Sequence, residues 1–156
     1  MTESSGQIDV FVENEAGSSI KRTYDPETGE VCATQSVSMA YPFAYGFVPN
    51  TMSGDGDCVD CFVVTNRRLE SGETIACVPV YLLEQIEDGE VDHKILCVPA
   101  EQTSTIDAVQ IDKIRSFISK VFAHVPGKNM QVGSIESVNF AWEYLHHCSR
   151  LPKGRA

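Results

Sequence analysis

The pattern of apolar residues changes once along this chain, and that change limits the fold more than any other feature. Ile8-Asp9-Val10-Phe11-Val12-Glu13 alternates at period two, the spacing of a half-buried strand. Ser19 to Tyr24 and Val31 to Thr34 flank Asp25-Pro26-Glu27-Thr28-Gly29, where Pro and Gly suit a turn, so the pair predicts a hairpin. Cys61 to Thr65, Thr74 to Leu83 and Lys94 to Val98 are further strand candidates. Past residue 100 the spacing turns helical. Ile111, Ile114, Phe117, Ile118, Val121, Phe122 and Val125 recur in steps of three and four, predicting a helix that begins near Ser104. Asp107 stands as its capping-box acid, and Pro126-Gly127 is expected to end it. A second helix carries Val138, Ala141, Trp142, Leu145 and Cys148 on one stripe. Strands first and helices last is the order of an α+β fold.

No internal repeat, long linker or low-complexity tract interrupts the 156 residues, so one domain over 1–156 is expected, with 1–6 and 150–156 mobile. A hydrophobic share of 42% without an apolar run near ~18 residues argues against a membrane-spanning helix. The start, Met1-Thr2-Glu3-Ser4-Ser5-Gly6, has neither the basic residues nor the apolar core of a signal peptide, and the expected compartment is the cytoplasm. A net charge of −10 excludes nonspecific nucleic-acid binding, which needs concentrated Lys and Arg.

Asp55-Gly56-Asp57-Cys58-Val59-Asp60 packs three carboxylates into one short segment. Like charges that close repel, and cations between them relieve the repulsion. Oxygen-only ligands favour a hard ion such as Mg²⁺. Asp55 and Asp57 share one side of an extended segment while Asp60 has the opposite parity, so the loop must bend, which Gly54 and Gly56 permit. Asp92 and Lys94 would project to one face of a strand, with His93 turned away. Cys58 and Cys61 form a C-x-x-C, but no second pair or spaced His pair accompanies it, so the six cysteines read as small reduced hydrophobes.

Tyr41-Pro42-Phe43-Ala44-Tyr45-Gly46-Phe47-Val48 precedes the acidic cluster, and Glu87-Asp88-Gly89-Glu90-Val91-Asp92-His93-Lys94 follows it. In order, spacing and type these resemble the family I soluble inorganic pyrophosphatases, with their Y-P-x-x-Y-G segment, D-G-D-P-x-D metal motif and D-x-x-x-x-D-x-K segment. The resemblance is close over residues 7 to 99. It implies a five-stranded, OB-like antiparallel β-barrel with two C-terminal helices packed outside and an active site at one end. It also implies Mg²⁺-dependent hydrolysis of pyrophosphate to two phosphates and a homo-oligomer, a hexamer or trimer. Carried over by position, Asp55, Asp60, Asp92, Glu87 and Glu13 match metal-binding acids, and Asp57 matches the general base. Lys21, Tyr41, Tyr45 and Lys94 match substrate-binding residues.

The departures concern the phosphate clamp. The family's arginine falls at Ala33, its late Tyr-Lys pair at Val125-Pro126, and an acid after the lysine at Thr23. Glu87 replaces an aspartate, and Cys58 replaces the motif's proline. Lys128, Arg22, Arg67-Arg68 and the basic tail are the candidate replacement cations. Two alternatives stay open: a hydrolase of an organic diphosphate using the same metal site, and a non-catalytic family member that binds metal and phosphate.

Overall fold

The computed structural model describes residues 6–54, 56–102, 105–121, 126–127 and 130–150. Its main sheet closes on itself. The strands of that circuit are β1 (Ile8–Asn14), β4 (Ala44–Val48), β5 (Val59–Val63), β8 (Lys94–Pro99) and β6 (Thr74–Glu87). β1 pairs β4, β4 pairs β5, β5 pairs β8, β8 pairs β6, and β6 returns to β1, which leaves no open edge among these five. All pairings are antiparallel except β5 with β8. A parallel pair needs a crossover, and here the long β6 supplies it. The 14 residues of β6 reach β1 at their start, β8 in the middle, and β7 (Glu90–Val91) and β9 (Met130–Glu136) at their end. Pro79, which has no N–H to donate, sits where the β6–β8 register shifts. The predicted hairpin forms as β2 (Ile20–Tyr24) and β3 (Val31–Ser36), a separate two-stranded sheet whose second strand is exposed throughout.

β4 lies inside the tyrosine segment, which the period-two pattern did not mark. It is buried at every position, so alternation is lost. Gly46 brings it close to β1: a Cβ there would stand 1.9 Å from the Phe11 carbonyl oxygen. β9, between the two helices, was not anticipated either.

The first helix, α1, spans Ala108–Lys120 and starts later than the spacing predicts. Asp107 is the N-cap itself: Gln110 N–H donates to Asp107 Oδ1 at 2.8 Å, and the Gln110 side-chain carbonyl accepts from Asp107 N–H at 2.9 Å. The helix stops at Val121 rather than at Pro126-Gly127. Ser38 reaches across to bond the carbonyls of Lys120 and Val121, satisfying groups that every helix end leaves open. Phe122 and Val125 lie outside the described residues. The second helix, α2, spans Val138–Cys148 and buries Ala141, Leu145 and Cys148.

Both faces of the central strands are covered, which explains their continuous apolar sequence. On one face, Val59, Cys61, Val63, Ile95 and Cys97 pack with Ala141, Leu145 and Cys148 of α2. On the other, Phe62, Val64, Leu96 and Val98 pack with Ile114, Phe117 and Ile118 of α1. None of the six cysteines is in a disulfide, and Cys61, Cys77, Cys97 and Cys148 are buried. No helix among the described residues is long and apolar enough to cross a membrane.

Candidate active site

Period two puts Asp60 on the same face of β5 as Phe62, and Lys94 on the same face of β8 as Leu96. The parallel pairing sets Asp60 directly beside Lys94. The Lys94 ammonium donates to Asp60 Oδ2 at 2.8 Å and to Asp92 Oδ2 at 2.9 Å. Burial alone would lower its pKa, but the two carboxylates outweigh burial and hold it charged well above the ordinary lysine range. It also stands 5.6 Å from the centre of the Tyr45 ring. His93 turns away, as its parity requires, and its Nδ1 accepts from the Gln85 backbone.

These groups sit at the bottom of a cavity of about 230 Å³. Glu13, Lys21, Tyr41 and Tyr45 line it, as do Asp57, Asp60, Glu87, Asp92 and Lys94. Asp55 lies outside the described residues. Every other residue matched by position to a metal-binding, base or substrate-binding role therefore borders one space.

Each wall has a local cause. Glu13 ends β1 as a buried carboxylate and accepts from Tyr24 N–H at 3.0 Å, which ties the hairpin to the barrel. Burial pushes its pKa up to about 7, and repulsion from Asp60 and Asp57 adds to that against the lowering effect of the Tyr24 bond and Lys21. Asn14, fully buried, makes the second tie: Arg22 N–H donates to its Oδ1 at 2.6 Å and its Nδ2 donates to Arg22 O at 3.3 Å. Those bonds fix β2, and so Lys21, over the cavity. Tyr41 and Tyr45 lie 5.3 Å apart, and Tyr41 packs on Phe117 at 4.5 Å. Burial, then the charge of Asp60, raises both hydroxyls, so they stay neutral donors; Tyr45 bonds Asp60. Asp57 is exposed at the mouth, its loop closed by bonds from Ser53 N–H and Ser53 Oγ to Asp57 O. Gly56 permits that turn with φ of 88°.

Asn14 and Gln85 were missed from sequence. Both are buried polar residues inside strands, and burial was the only signal that marks them. Gln85 is 1% exposed and lines the cavity beside Asp92.

Among the described residues, no three His, Cys, Asp or Glu side chains stand together closely enough to hold a metal ion as the chain is arranged here. The Lys94 ammonium stands between Asp60 and Asp92 instead. The donor set still fits a hard cation. It is all carboxylate oxygen, with Glu13, Asp57, Asp60, Glu87 and Asp92 lining the same cavity.

A family model described as inorganic pyrophosphatase matches residues 10–152. The chain belongs to the inorganic pyrophosphatase family. The inorganic pyrophosphatase of Aquifex pyrophilus is 34% identical over 150 residues, covering 88% of this chain and 85% of its own. That of Mycoplasma genitalium is 32% identical over 156 residues, covering 94% and 84%. Among solved structures, the Helicobacter pylori inorganic pyrophosphatase superposes with a TM-score of 0.84 at 25% identity over 92% of both chains. The Thermus thermophilus enzyme gives 0.83 at 25%, over 92% of this chain and 89% of its own.

Within the pyrophosphatase family pattern, two departures turn out to be neighbours. Ala33 is the register partner of Thr23, and Thr23 lines the cavity. Of the candidate replacement cations, Arg67 is paired with Glu101 at 2.7 Å and borders a different cavity together with Arg68. Arg22 is not among the residues lining the active cavity. Lys128 and tail residues 151–156 lie outside the described residues. The apolar side of the pyrophosphatase cavity is Phe117, Ile118 and Val121, at the capped end of α1.

Proposed function

We propose that this chain hydrolyses inorganic pyrophosphate to two phosphates at the cavity between β1, β5, β6, β8 and the β2–β3 hairpin. The observation that carries the reading is the convergence of carboxylates, lysines and tyrosines on one space in a chain that matches the family over residues 10–152. Asp55, Asp60, Asp92, Glu87 and Glu13 would hold Mg²⁺. When bound, Mg²⁺ neutralises phosphoryl oxygens and lowers the pKa of water. The exposed carboxylate of Asp57 takes the proton from the attacking water. A bond forms between the water oxygen and one phosphorus, the bridging P–O bond breaks, and the second phosphate leaves. Lys21, Tyr41, Tyr45 and Lys94 orient the phosphoryl oxygens, the tyrosines as neutral donors.

A second substrate class has its own support. Phe117, Ile118 and Val121 offer an apolar side, and Ala33 with Thr23 leaves the clamp side short of charge. An organic diphosphate would use both. In our reading the chain is one cytoplasmic domain that assembles as a homo-oligomer, a hexamer or trimer, and binds no nucleic acid. The test is phosphate release from pyrophosphate and from a panel of organic diphosphates, with Mg²⁺ and with chelator. Release from pyrophosphate that chelator abolishes is expected. Release from none of them would leave the non-catalytic alternative standing.

A further inference from the structure

We propose that His93 is a positioning residue of the metal site, its ring holding the backbone corner that carries Asp92; this rests on the metal reading above. Asp92 and His93 fall between β7, which ends at Val91, and β8, which starts at Lys94, and belong to neither strand. Two bonds from one residue of β6 tie this corner to the sheet. Gln85 O accepts from Asp92 N–H at 3.0 Å, and Gln85 N–H donates to His93 Nδ1 at 3.0 Å. The first bond is backbone to backbone, and residue type does not matter to it. The second exists because residue 93 carries a ring nitrogen, at a position that the family segment D-x-x-x-x-D-x-K leaves open.

Alternation separates the roles of the three neighbours. Asp92 and Lys94 border the cavity, where the Lys94 ammonium donates to Asp92 Oδ2 at 2.9 Å. His93 does not border it; its ring lies against Tyr144 of α2, with the ring centres 5.0 Å apart. His93 therefore reaches the ligand only through the backbone. Gln85 is 1% exposed, and a buried N–H that loses its acceptor is costly enough to shift the corner toward another one. The Asp92 carboxylate, buried on the far side of the same peptide link, moves with it. Groups outside the ligand set that orient metal ligands are typically worth 10- to 100-fold in metal affinity, and action on one ligand through the backbone belongs at the lower end, about tenfold.

The test is Mg²⁺ binding by titration calorimetry on the full chain at about pH 8, where an imidazole is neutral. It compares wild type with His93→Phe, His93→Asn and His93→Ala. His93→Phe keeps a ring against Tyr144 and loses the acceptor; it is expected to bind Mg²⁺ about tenfold more weakly. His93→Asn loses the ring but offers a carbonyl oxygen near the place of Nδ1, and is expected to bind with close to wild-type affinity. A packing role would give the reverse order, since Asn forfeits the ring contact that Phe retains. His93→Ala lacks both groups and is expected to bind as weakly as the Phe variant; its comparison with His93→Asn carries the test if the Phe variant does not fold. Wild-type affinity in His93→Phe or His93→Ala, or a His93→Asn variant as weak as His93→Ala, overturns the positioning role. A wild type that takes up no Mg²⁺ overturns the metal reading, and this inference with it.

Discussion

Glu13 sits in surroundings that disfavour its charge, because burial and the nearby Asp60 and Asp57 favour its neutral form. Its pKa rises from 4.5 to about 7 on folding. The folded chain therefore binds a proton that the unfolded chain has released, and this contribution to stability is lost as pH rises through that window. Glu13→Gln mimics the protonated form and keeps an acceptor for Tyr24 N–H. In chelator it should match wild type near pH 4 and exceed it near pH 8 by up to about 3 kcal/mol, as read by urea denaturation. Saturating Mg²⁺ should erase the advantage, since a cation favours ionised Glu13. Lys94 presents the opposite case. Lys94→Met would leave Asp60 and Asp92 facing each other without their shared cation, at a cost of about 3–5 kcal/mol in chelator. Added Mg²⁺ should recover part of it, and a melting temperature unchanged from wild type in chelator would show that the ion pairs contribute little.

At the scale of elements, the β2–β3 hairpin brings Lys21 and Thr23 to the cavity. Asn14 and Glu13 hold its first strand against β1. Its register places Ala33 opposite Thr23, so an arginine at 33 would share the face that borders the cavity. One charge-assisted bond is worth about 1.5–3 kcal/mol, or roughly one to two powers of ten. Ala33→Arg should therefore raise kcat/KM for pyrophosphate by roughly ten- to a hundredfold. Steady-state kinetics with no change would mean that the hairpin does not direct residue 33 to substrate. Elements differed in how far the sequence revealed them. Period two marked β1, and Pro26 with Gly29 marked the hairpin. β4 was hidden because five buried positions in a row carry no alternation. The start of α1 was placed too early because Ser104 and Asp107 satisfy the same capping pattern that Asp107 and Gln110 make in the structure. Residues near a helix end are the hardest to rank from sequence.

The whole molecule is a barrel whose closure by β6 on β1 brings distant motifs to one cavity. The motif acids, lysines and tyrosines were legible because their types and spacing are specific. Gln85 and Asn14 were not, since a buried polar residue in a strand has no signature until its neighbours are known. In our reading this cavity performs metal-assisted hydrolysis with Asp57 as its base. Single-turnover phosphate release from pyrophosphate, measured in Mg²⁺ for wild type and Asp57→Asn alongside Mg²⁺ affinity, tests it most directly. Mg²⁺-dependent release by wild type is expected, and for Asp57→Asn a rate lower by roughly 10²- to 10⁴-fold with metal affinity changed far less. Release from Asp57→Asn at the wild-type rate, or equal losses in rate and metal affinity, would contradict it.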